Sequence, residues 1–410
     1  MVGPSKSGAR IRQWRPGERK TIYLCALLLG VCSFVLLAYL EKIWGDYRDH
    51  MAGQKPTFGD FFAIWSYAKI ASLYPAAQLY DFAALHARQV ALGMIPSAQN
   101  PFPYPPTFIL LLWPLSLVPF FAAYLLWIVG AFALFVWAVA GTCSRRLLCV
   151  FGVIVAPASA IALDAGQSGF LAGALMIAGI RLAGARPVVT GILTGLLSYK
   201  PQLGFLVPIA LACAGLWGAF AVACATVAGL AALATLAFGW TVWPAWITML
   251  PAYAGMFDHS KAWLPFMPTV IADLRLAGCS LPVAQGAQAI VSVAVVFFVA
   301  RCFRRDLGRL AVAALLVGTF LATPHAFIYD MPMLTAAVVL FIEDRLTTTR
   351  VFHLAEVVIL GWVVMFPVLM VASGVAFPLS AVPLALFFGL IVWRQGVAGG
   401  SAVSRRIGLC

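Results

Sequence analysis

Long apolar runs, separated by short polar turns, organise the whole chain. A run of about 20 apolar residues matches the thickness of a bilayer and is typical of a membrane-spanning helix. The pattern therefore predicts an all-α, polytopic integral membrane protein. The runs lie at about 21–40, 106–118, 121–141, 148–163, 168–180, 188–199, 202–217, 219–238, 284–300, 310–323, 327–342, 353–372 and 376–393.

Basic residues mark the predicted inner loops. Inner loops of membrane proteins are enriched in Lys and Arg, and two apolar runs separate most neighbouring basic clusters. All the clusters can therefore lie in the cytoplasm, which leaves residues 41–120 and 239–283 as long outer segments of a single domain, 1–410. The clusters are the N-terminal tail (1–20), Arg145–Arg146, Arg181 and Arg186, Arg301 to Arg309, Arg345 and Arg350, and the C-terminal tail (395–410).

One apolar stretch, TFILLLWPLSLVP (107–119), is too short to cross a bilayer. Its 13 or so residues give roughly 20 Å of helix, against a hydrocarbon core of about 30 Å. Prolines bound it on both sides. We expect this helix to dip into the outer leaflet without crossing, which leaves twelve spans with both termini inside.

The composition agrees with a membrane protein and excludes a soluble globular one. The chain is 63% hydrophobic and 10% charged, with a mean hydropathy of +0.97. The net charge of +13 is explained by basic inner loops, so we expect no nucleic-acid partner. The first apolar run ends within LLAYLEKIWG (36–45), which has no small-residue cleavage site, so an uncleaved anchor is predicted.

Motifs of several other enzyme classes are missing from the sequence. The nine cysteines include no C-x-x-C pair, so neither a zinc site nor a disulfide framework is indicated. GQSG (166–169) is not followed by Lys and Ser/Thr at the spacing that a P-loop requires, and no G-x-S-x-G or H-E-x-x-H occurs. We expect an activity that uses no metal and no cofactor.

An aromatic helix is predicted after Asp60, in PTFGDFFAIWSYAKIASLYPAAQLYD (56–81). Its apolar residues recur at helical spacing, with Ser66 and Lys69 off the stripe, so we expect it to lie along the membrane surface. Asp60 itself is either an N-cap or a functional carboxylate. The stripe consists of Phe61, Ile64, Trp65 and Ala68.

The conspicuous polar motifs all fall at predicted outer helix ends. They are Asp60, Asp81, PFPYPPT (101–107), DAGQSG (164–169), YKPQ (199–202) and TPHAFIYD (323–330). Because the helix before Lys200 begins near Pro187, Lys200 is expected below the outer surface, and so is His325. Ionisable groups at this depth are costly and usually line a cavity or site.

Each of these residues also has a purely structural interpretation. Asp81 is favoured as a cap, and Gln167 can cap the spans that it joins. Lys200 can extend to the interface along its alkyl chain, and His325 can pair with Asp330. Glu356, near the predicted inner end of a span, is interpreted as structural.

An outer cavity with these groups suits transfer from a lipid-phosphate donor. Asp60 is the candidate base for an acceptor hydroxyl. The candidates for binding the leaving phosphate are Lys200, His325 and Tyr329. Direct displacement with one base inverts the anomeric carbon, whereas a retaining mechanism needs a close carboxylate pair. The sequence places no second carboxylate beside Asp60.

The motifs resemble those of bacterial glycosyltransferase family 87 (the DUF2029 group). The resemblance covers GDFFAIWSYAKIASLYPAAQLYD, PFPYPPTFILLLWPLSLVPFFAAYLLW and DAGQSGFLAG through YKPQLGFLVPIAL, and more loosely TPHAFIYD. It implies a GT-C membrane fold, a polyprenyl-phosphate-sugar donor and an inverting, metal-independent transfer on the outer face. Asp60 matches the position of the catalytic acid in the first outer loop. Relatives include mannosyl- and arabinofuranosyltransferases.

The resulting hypothesis is a hexosyltransferase of the bacterial inner membrane, with its active site on the periplasmic face. The donor is a polyprenyl-phosphate sugar, with mannose as the first candidate, and the acceptor is an outer glycolipid or glycan among the membrane lipids. The segment 239–283 is expected to cover the cavity. Alternatives are a pentosyl transferase of the same fold and a transporter or flippase, which predicts inverted repeats. The expected substrate-binding residues are Trp65, Asp81, Tyr104, Gln167, Gln202 and Asp330.

Overall fold

A computed structural model of the protein describes residues 16–53, 59–259, 262–348, 352–372 and 379–398. This part of the chain is helical throughout and contains no strand. The α-helices are α1 (Pro16–Met51), α2 (Phe61–Leu73), α3 (Phe82–Ala91), α4 (Thr107–Leu112), α5 (Phe120–Ala140), α6 (Arg146–Val155), α7 (Pro157–Ala165), α8 (Gly169–Arg181), α9 (Pro187–Leu196), α10 (Pro201–Gly204), α11 (Leu206–Cys213), α12 (Trp217–Phe238), α13 (Val242–His259), α14 (Val270–Leu276), α15 (Leu281–Arg305), α16 (Arg309–Ala322), α17 (Pro332–Thr348), α18 (Leu354–Ala372) and α19 (Ala381–Ala398). Short 3₁₀ helices lie at Ala76–Tyr80, Trp113–Leu117, Leu197–Tyr199, Leu264–Phe266 and Ile328–Asp330.

The apolar runs form helices, which confirms the prediction of an all-α polytopic membrane protein. Among the described residues, five helices are long and apolar enough to cross a membrane: Tyr23–Met51, Phe120–Ala140, Trp217–Phe238, Leu281–Arg305 and Leu354–Val371. The pair α6 and α7, bent by 59°, adds a sixth if the two helices form one broken span rather than a re-entrant loop. Most of the remaining apolar runs form helices of 10–17 residues. Twelve crossings therefore stays a prediction.

The stretch expected to dip into the outer leaflet forms α4 followed by the 3₁₀ helix Trp113–Leu117. Together they span Thr107–Leu117, one of the apolar segments too short to cross a bilayer. Pro114, the second residue of the 3₁₀ helix, favours the change from α4 because it lacks an amide N–H to donate within a continuing α-helix. The short element packs against α2 and α12.

The helix after Asp60 differs from the sequence prediction. On its predicted apolar stripe, Phe61, Ile64 and Ala68 are buried and Trp65 is half-buried, but Ser66 off the stripe is also fully buried. The amide of Gln89 in α3 donates to the Ser66 hydroxyl at 3.0 Å, so α3 covers the face that was expected to be exposed. The off-stripe side of α2 is therefore covered by protein, because α3, α4 and α5 all pack against α2. That α2 lies along the membrane surface stays a prediction.

A buried ion cluster joins α17, α18 and α19 at the end of the helix bundle that lies away from Asp60 in the predicted topology. The carboxylate of Glu356 accepts hydrogen bonds from Arg345 Nη2 at 3.0 Å and from Arg394 Nη2 at 2.7 Å. It also accepts from the backbone amide of His353 at 2.9 Å. These contacts agree with the structural interpretation of Glu356.

Replacing Glu356 by Gln is expected to lower the thermal stability of the purified protein. The change leaves two guanidinium groups without their carboxylate, and Arg345 is only 1% exposed. Breaking a buried pair from one side costs about 3–5 kcal/mol. The measurement is the melting temperature in detergent, with Glu41→Gln, the same change at an exposed position of α1, as the control. Melting of Glu356→Gln at the wild-type temperature would contradict the structural role.

Candidate active site

Asp60 lies at the N-terminus of α2, but its carboxylate does not cap the helix. The side chain makes no hydrogen bond to a backbone N–H of the first turn. Instead, Asp60 Oδ2 accepts a hydrogen bond from Gln167 Nε2 at 3.3 Å. The interpretation of Asp60 as a simple N-cap is therefore not supported by its contacts, and the residue as a whole is half-buried.

A glycine lets the start of α2 approach the turn between α7 and α8. Gly59 has a φ of +50°, which favours glycine, and any side chain there would meet the backbone of Asp164 and Ala165. This close approach places Gln167, in the same turn, against Asp60. The motif containing Asp60 and the DAGQSG motif are thus brought together by backbone packing.

The surroundings of Asp60 favour its neutral form more than water does. Burial raises the pKa of the Asp60 carboxyl, and the hydrogen bond from Gln167 opposes this shift. The charge of Asp164 raises the pKa further, whereas that of Lys200 lowers it. The net effect is a raised pKa, which makes Asp60 a stronger base than an exposed aspartate.

A second carboxylate near Asp60 comes from Asp164, which sequence reasoning did not place there. The ammonium group of Lys42, in α1, forms an ion pair with Asp164 Oδ1 and lies 3.3 Å from Asp46 Oδ2. Asp164 is therefore held by a cation, whereas Asp60 is held by a neutral amide. The pairing joins residues 122 positions apart, and no local pattern in the sequence indicates it.

Lys200 and Asp330 form a buried ion pair. Lys200 Nζ lies 2.6 Å from Asp330 Oδ1, and the two side chains are 2% and 1% exposed. The ammonium group also lies 5.0 Å from the ring centroid of Tyr329. Lys200 therefore does not extend to the interface, and that structural interpretation is wrong.

The backbone of the 323–330 segment reaches Lys200 because of a second glycine. A side chain at Gly169, the first residue of α8, would meet the carbonyl oxygen of Tyr329 and the Cα of Asp330. Asp330 is further fixed by the backbone amide of Phe327, which donates to its Oδ2 at 3.3 Å. YKPQ and TPHAFIYD thus meet at the DAGQSG turn.

Tyr104 joins the PFPYPPT motif to the same cluster. Its buried hydroxyl donates to Gln167 Oε1 at 3.4 Å, so Gln167 links Tyr104 to Asp60. Its backbone carbonyl accepts from the hydroxyl of Tyr80 at 3.0 Å. Asp60, Tyr104, Gln167, Lys200, Tyr329 and Asp330 therefore form one cluster, which we call the carboxylate cluster.

Three predicted substrate-binding residues make no described contact with this cluster. Asp81 is exposed and caps α3, accepting from the backbone amides of Ala83 and Ala84 at 3.0 Å. Trp65 packs edge-on against Phe120, with ring centroids 5.3 Å apart. Gln202 lies two residues after Lys200 in α10 and makes no hydrogen bond within the described part of the chain. Their substrate contacts stay predictions.

His325 lines a cavity of about 400 Å³ between α13, α14 and α15, which we call the amphipathic cavity. Its polar lining includes Arg275, Gln285 and Gln288. Lys200 and Tyr329, which were grouped with His325 from the sequence, are not among its lining residues. The apolar part of the lining is formed by Leu264, Met267, Ile271, Leu281 and Ala289.

Tyr253, in α13, lies between the amphipathic cavity and the carboxylate cluster. Its ring is 6.2 Å from that of His325. Burial raises the pKa of Tyr67 and Tyr104 well above the usual value, and Tyr253 is among the neighbours that add to both shifts. Sequence reasoning missed Tyr253 and Arg275. The only signal was that both lie in the segment 239–283, which was expected to cover the cavity.

Comparison with known families decides what kind of protein carries this site. A sequence model of glycosyltransferase family 87 matches residues 102–324, more than half of the chain. The chain belongs to glycosyltransferase family 87. This confirms the resemblance seen in its motifs and makes the chain a membrane glycosyltransferase. No curated protein and no solved structure matches the chain.

The region matched to family 87 contains only part of the carboxylate cluster. Tyr104, Gln167 and Lys200 lie inside the matched residues, whereas Asp60 and Tyr329 lie outside. The grouping of Asp60 with the others therefore rests on the geometry of this glycosyltransferase. Across the described ranges, no three His, Cys, Asp or Glu side chains form a group that could hold a metal ion.

Proposed function

We propose that this glycosyltransferase moves a hexose, with mannose as the first candidate, from a polyprenyl-phosphate donor to an outer glycolipid or glycan. The reaction inverts the anomeric carbon, and Asp60 is the general base. The enzyme acts at the periplasmic face of a bacterial inner membrane. The observation that carries this proposal is the position of the amphipathic cavity beside the carboxylate cluster, with Tyr253 between them.

The lining of the amphipathic cavity suits a lipid phosphate. Arg275 and His325 supply groups that bind a phosphate, and the guanidinium group does so through charge-assisted hydrogen bonds. Leu264, Met267 and Ile271 provide an apolar wall for the first isoprene units. A nucleotide sugar has no isoprenoid chain to pack against this apolar wall, so the lining favours a lipid-linked donor.

The transfer is a single displacement. Asp60 removes the proton from the acceptor hydroxyl, whose oxygen forms a bond to the anomeric carbon. The bond between that carbon and the phosphate oxygen breaks on the opposite face, and its electron pair leaves with the polyprenyl phosphate. Lys200, His325 and Tyr329 are proposed to stabilise the charge of this leaving group.

The neutral and aromatic side chains are proposed to hold the sugars. Gln167 contacts both Asp60 and Tyr104, so it can orient the base and still present its amide to a substrate hydroxyl. Trp65, Asp81, Gln202 and Asp330 keep their predicted substrate-binding roles. The role of Asp330 is limited by its ion pair with Lys200.

Purified enzyme in lipid nanodiscs tests the proposal with a panel of donors. We expect labelled hexose to move from a polyprenyl-phosphate hexose but not from a nucleotide hexose, and NMR of the product to show inversion. If the enzyme used only a polyprenyl-phosphate pentofuranose as donor, the proposed sugar would be a pentose and not a hexose. Movement of the lipid across proteoliposomes with no sugar transfer would overturn the proposal in favour of a flippase.

Arg275→Gln is expected to raise the KM for the lipid donor by about 10- to 100-fold, the range for a lost hydrogen bond to a charged group. The KM for the acceptor should stay unchanged, because Arg275 lines the amphipathic cavity, which is proposed to hold the donor phosphate. Arg186→Gln, at an exposed position before α9, is the matched control. An unchanged donor KM in Arg275→Gln would contradict the proposal that the donor phosphate binds in this cavity.

A further inference from the structure

A second cavity, of about 330 Å³, lies on the other side of α13. It is bounded by α3, by residues 99–101 and by Met256. Ala254 lines the amphipathic cavity and Met256 lines this one, and two residues apart means about 200° around a helix. The same helix therefore separates the two cavities. We call the second one the amide cavity.

The lining of the amide cavity is polar but carries no acidic side chain, Lys or Arg among its described residues. His86, Gln89, Gln99 and Asn100 supply hydrogen-bonding groups, and Phe82 supplies an aromatic wall. Its volume falls within the range of about 300–1,000 Å³ that is usual for small-molecule sites. A neutral ligand with many hydroxyls fits this chemistry, whereas a phosphate does not.

Gln89 presents a buried acceptor that has no partner in the described part of the chain. The residue is 1% exposed, and its Oε1 makes no hydrogen bond. Its Nε2 donates to Ser66 Oγ at 3.0 Å. The Ser66 hydroxyl already donates its proton to the Ala63 carbonyl at 2.8 Å, so it can only accept from Gln89. The Gln89 amide must therefore turn its Nε2 toward Ser66 and its Oε1 away from Ser66.

His86 adds a second unsatisfied group on the same face of α3. Its Nδ1 is buried and makes no hydrogen bond to the described residues. Residues 86 and 89 are three positions apart, so they are neighbours on one helix face. Buried polar groups without partners are unfavourable, and the hydroxyls of a bound sugar would satisfy both.

Tyr67 connects the amide cavity to the base. Its hydroxyl lies 2.7 Å from the carbonyl oxygen of Pro101 and 3.2 Å from that of Asn100, and both residues line the cavity. Asp60 and Tyr67 are seven positions apart along α2, a rise of roughly 10 Å. That separation is on the scale of one or two sugar units.

We infer that the amide cavity is a subsite for a neutral sugar unit of the acceptor glycan, one or two units away from the hydroxyl that is glycosylated. This inference rests on the proposed function, since it assigns an acceptor to the same active site. It places the donor and the acceptor on opposite sides of α13. Gln89 and His86 are its specificity-determining residues.

Gln89→Leu tests the subsite through binding without a donor. Saturation-transfer NMR with a panel of neutral methyl glycosides, from mono- to trisaccharide, should detect binding of a longer glycoside to wild type. We expect its affinity to fall about tenfold in Gln89→Leu, as for one lost hydrogen bond. Ala87→Gln, on an exposed position of the same helix, is the control. No binding to wild type, or equal affinity in Gln89→Leu, would overturn the subsite.

The transfer assay gives a second readout. In Gln89→Leu, the KM for a trisaccharide acceptor should rise about tenfold, while the KM for a monosaccharide acceptor and for the donor stays unchanged. An equal rise for both acceptors would contradict a remote subsite. If wild type transferred no sugar, the proposed function would fail, whereas the binding experiment would still decide the subsite.

His86→Leu guards against a folding artefact. Gln89→Leu removes an unsatisfied acceptor but also the buried hydrogen bond to Ser66, so its melting temperature is compared with that of wild type. If it melted lower, His86→Leu would carry the test, because no hydrogen bond of His86 to α2 is described. The same loss of preference for the longer acceptor is expected, and its absence would overturn the inference.

Discussion

Asp60→Asn is expected to reduce sugar transfer by about 10²- to 10⁴-fold, the usual contribution of a general base. A carboxamide cannot take the acceptor proton. The fold should survive, because Asp60 makes no capping bond and the Asn side chain can still accept from Gln167. The measurement is transfer from the polyprenyl-phosphate sugar, with the melting temperature recorded in parallel.

Asp49→Asn is the matched control, since it makes the same change at an exposed position of α1. It should transfer sugar at the wild-type rate. If Asp60→Asn also kept that rate, Asp60 would not be the base, and the carboxylate cluster would need another candidate.

The pH dependence of transfer provides an independent view of Asp60. Protonation removes the base, so kcat/KM should fall as the pH drops through the pKa of Asp60 in the free enzyme. Because burial raises this pKa, the fall should begin at a higher pH than for an ordinary aspartate. Gln167→Leu removes the hydrogen bond that opposes the shift, so it should move the fall to still higher pH. If the fall in kcat/KM at low pH occurred at the same pH in Gln167→Leu as in wild type, Asp60 would not be the titrating group.

The sequence predicted the helices because apolar periodicity and length are local properties. Gly59 lies in the stretch that contains Asp60, and Gly166 and Gly169 lie in DAGQSG, both of which stand out in the sequence. Their grouping depended on tertiary packing, which no local pattern encodes. The Asp60–Gln167 hydrogen bond, for example, links residues 107 positions apart. The sequence indicated that these motifs meet only because all of them were predicted to lie on the same side of the membrane.

The covering of the off-stripe side of α2 was unpredictable for a related reason. The apolar stripe of α2 does not show what covers the other side of the helix. In the structure, α3 supplies Gln89 as a polar partner for the off-stripe Ser66. A polar residue at a predicted exposed position can thus be buried when another element satisfies it. Arg275 and Tyr253 were missed because the Pro- and Trp-rich segment 239–283 has weak periodicity, so the direction of its side chains was not predictable.

Lys200→Met is expected to damage both stability and transfer. The change leaves the fully buried Asp330 carboxylate without its cation, which costs about 3–5 kcal/mol. Loss of activity in this variant alone would therefore not separate a contact with the donor phosphate from a structural role.

The double variant Lys200→Met/Asp330→Leu makes that separation. Replacing both members of a buried pair by apolar residues is often neutral for stability, so its melting temperature should return toward that of wild type. If Lys200 binds the phosphate, transfer should stay about 10- to 100-fold reduced, the range for a lost hydrogen bond to a charged group.

Inhibition by polyprenyl phosphate then isolates the phosphate contact. This product carries no sugar, so a sugar-binding role of Asp330 cannot affect it. Its inhibition constant should rise in the double variant if the Lys200 ammonium meets the phosphate. A stable double variant that is inhibited as strongly as wild type would assign Lys200 to holding Asp330 and Tyr329 in place, and would leave Arg275 and His325 as the groups that bind the leaving phosphate.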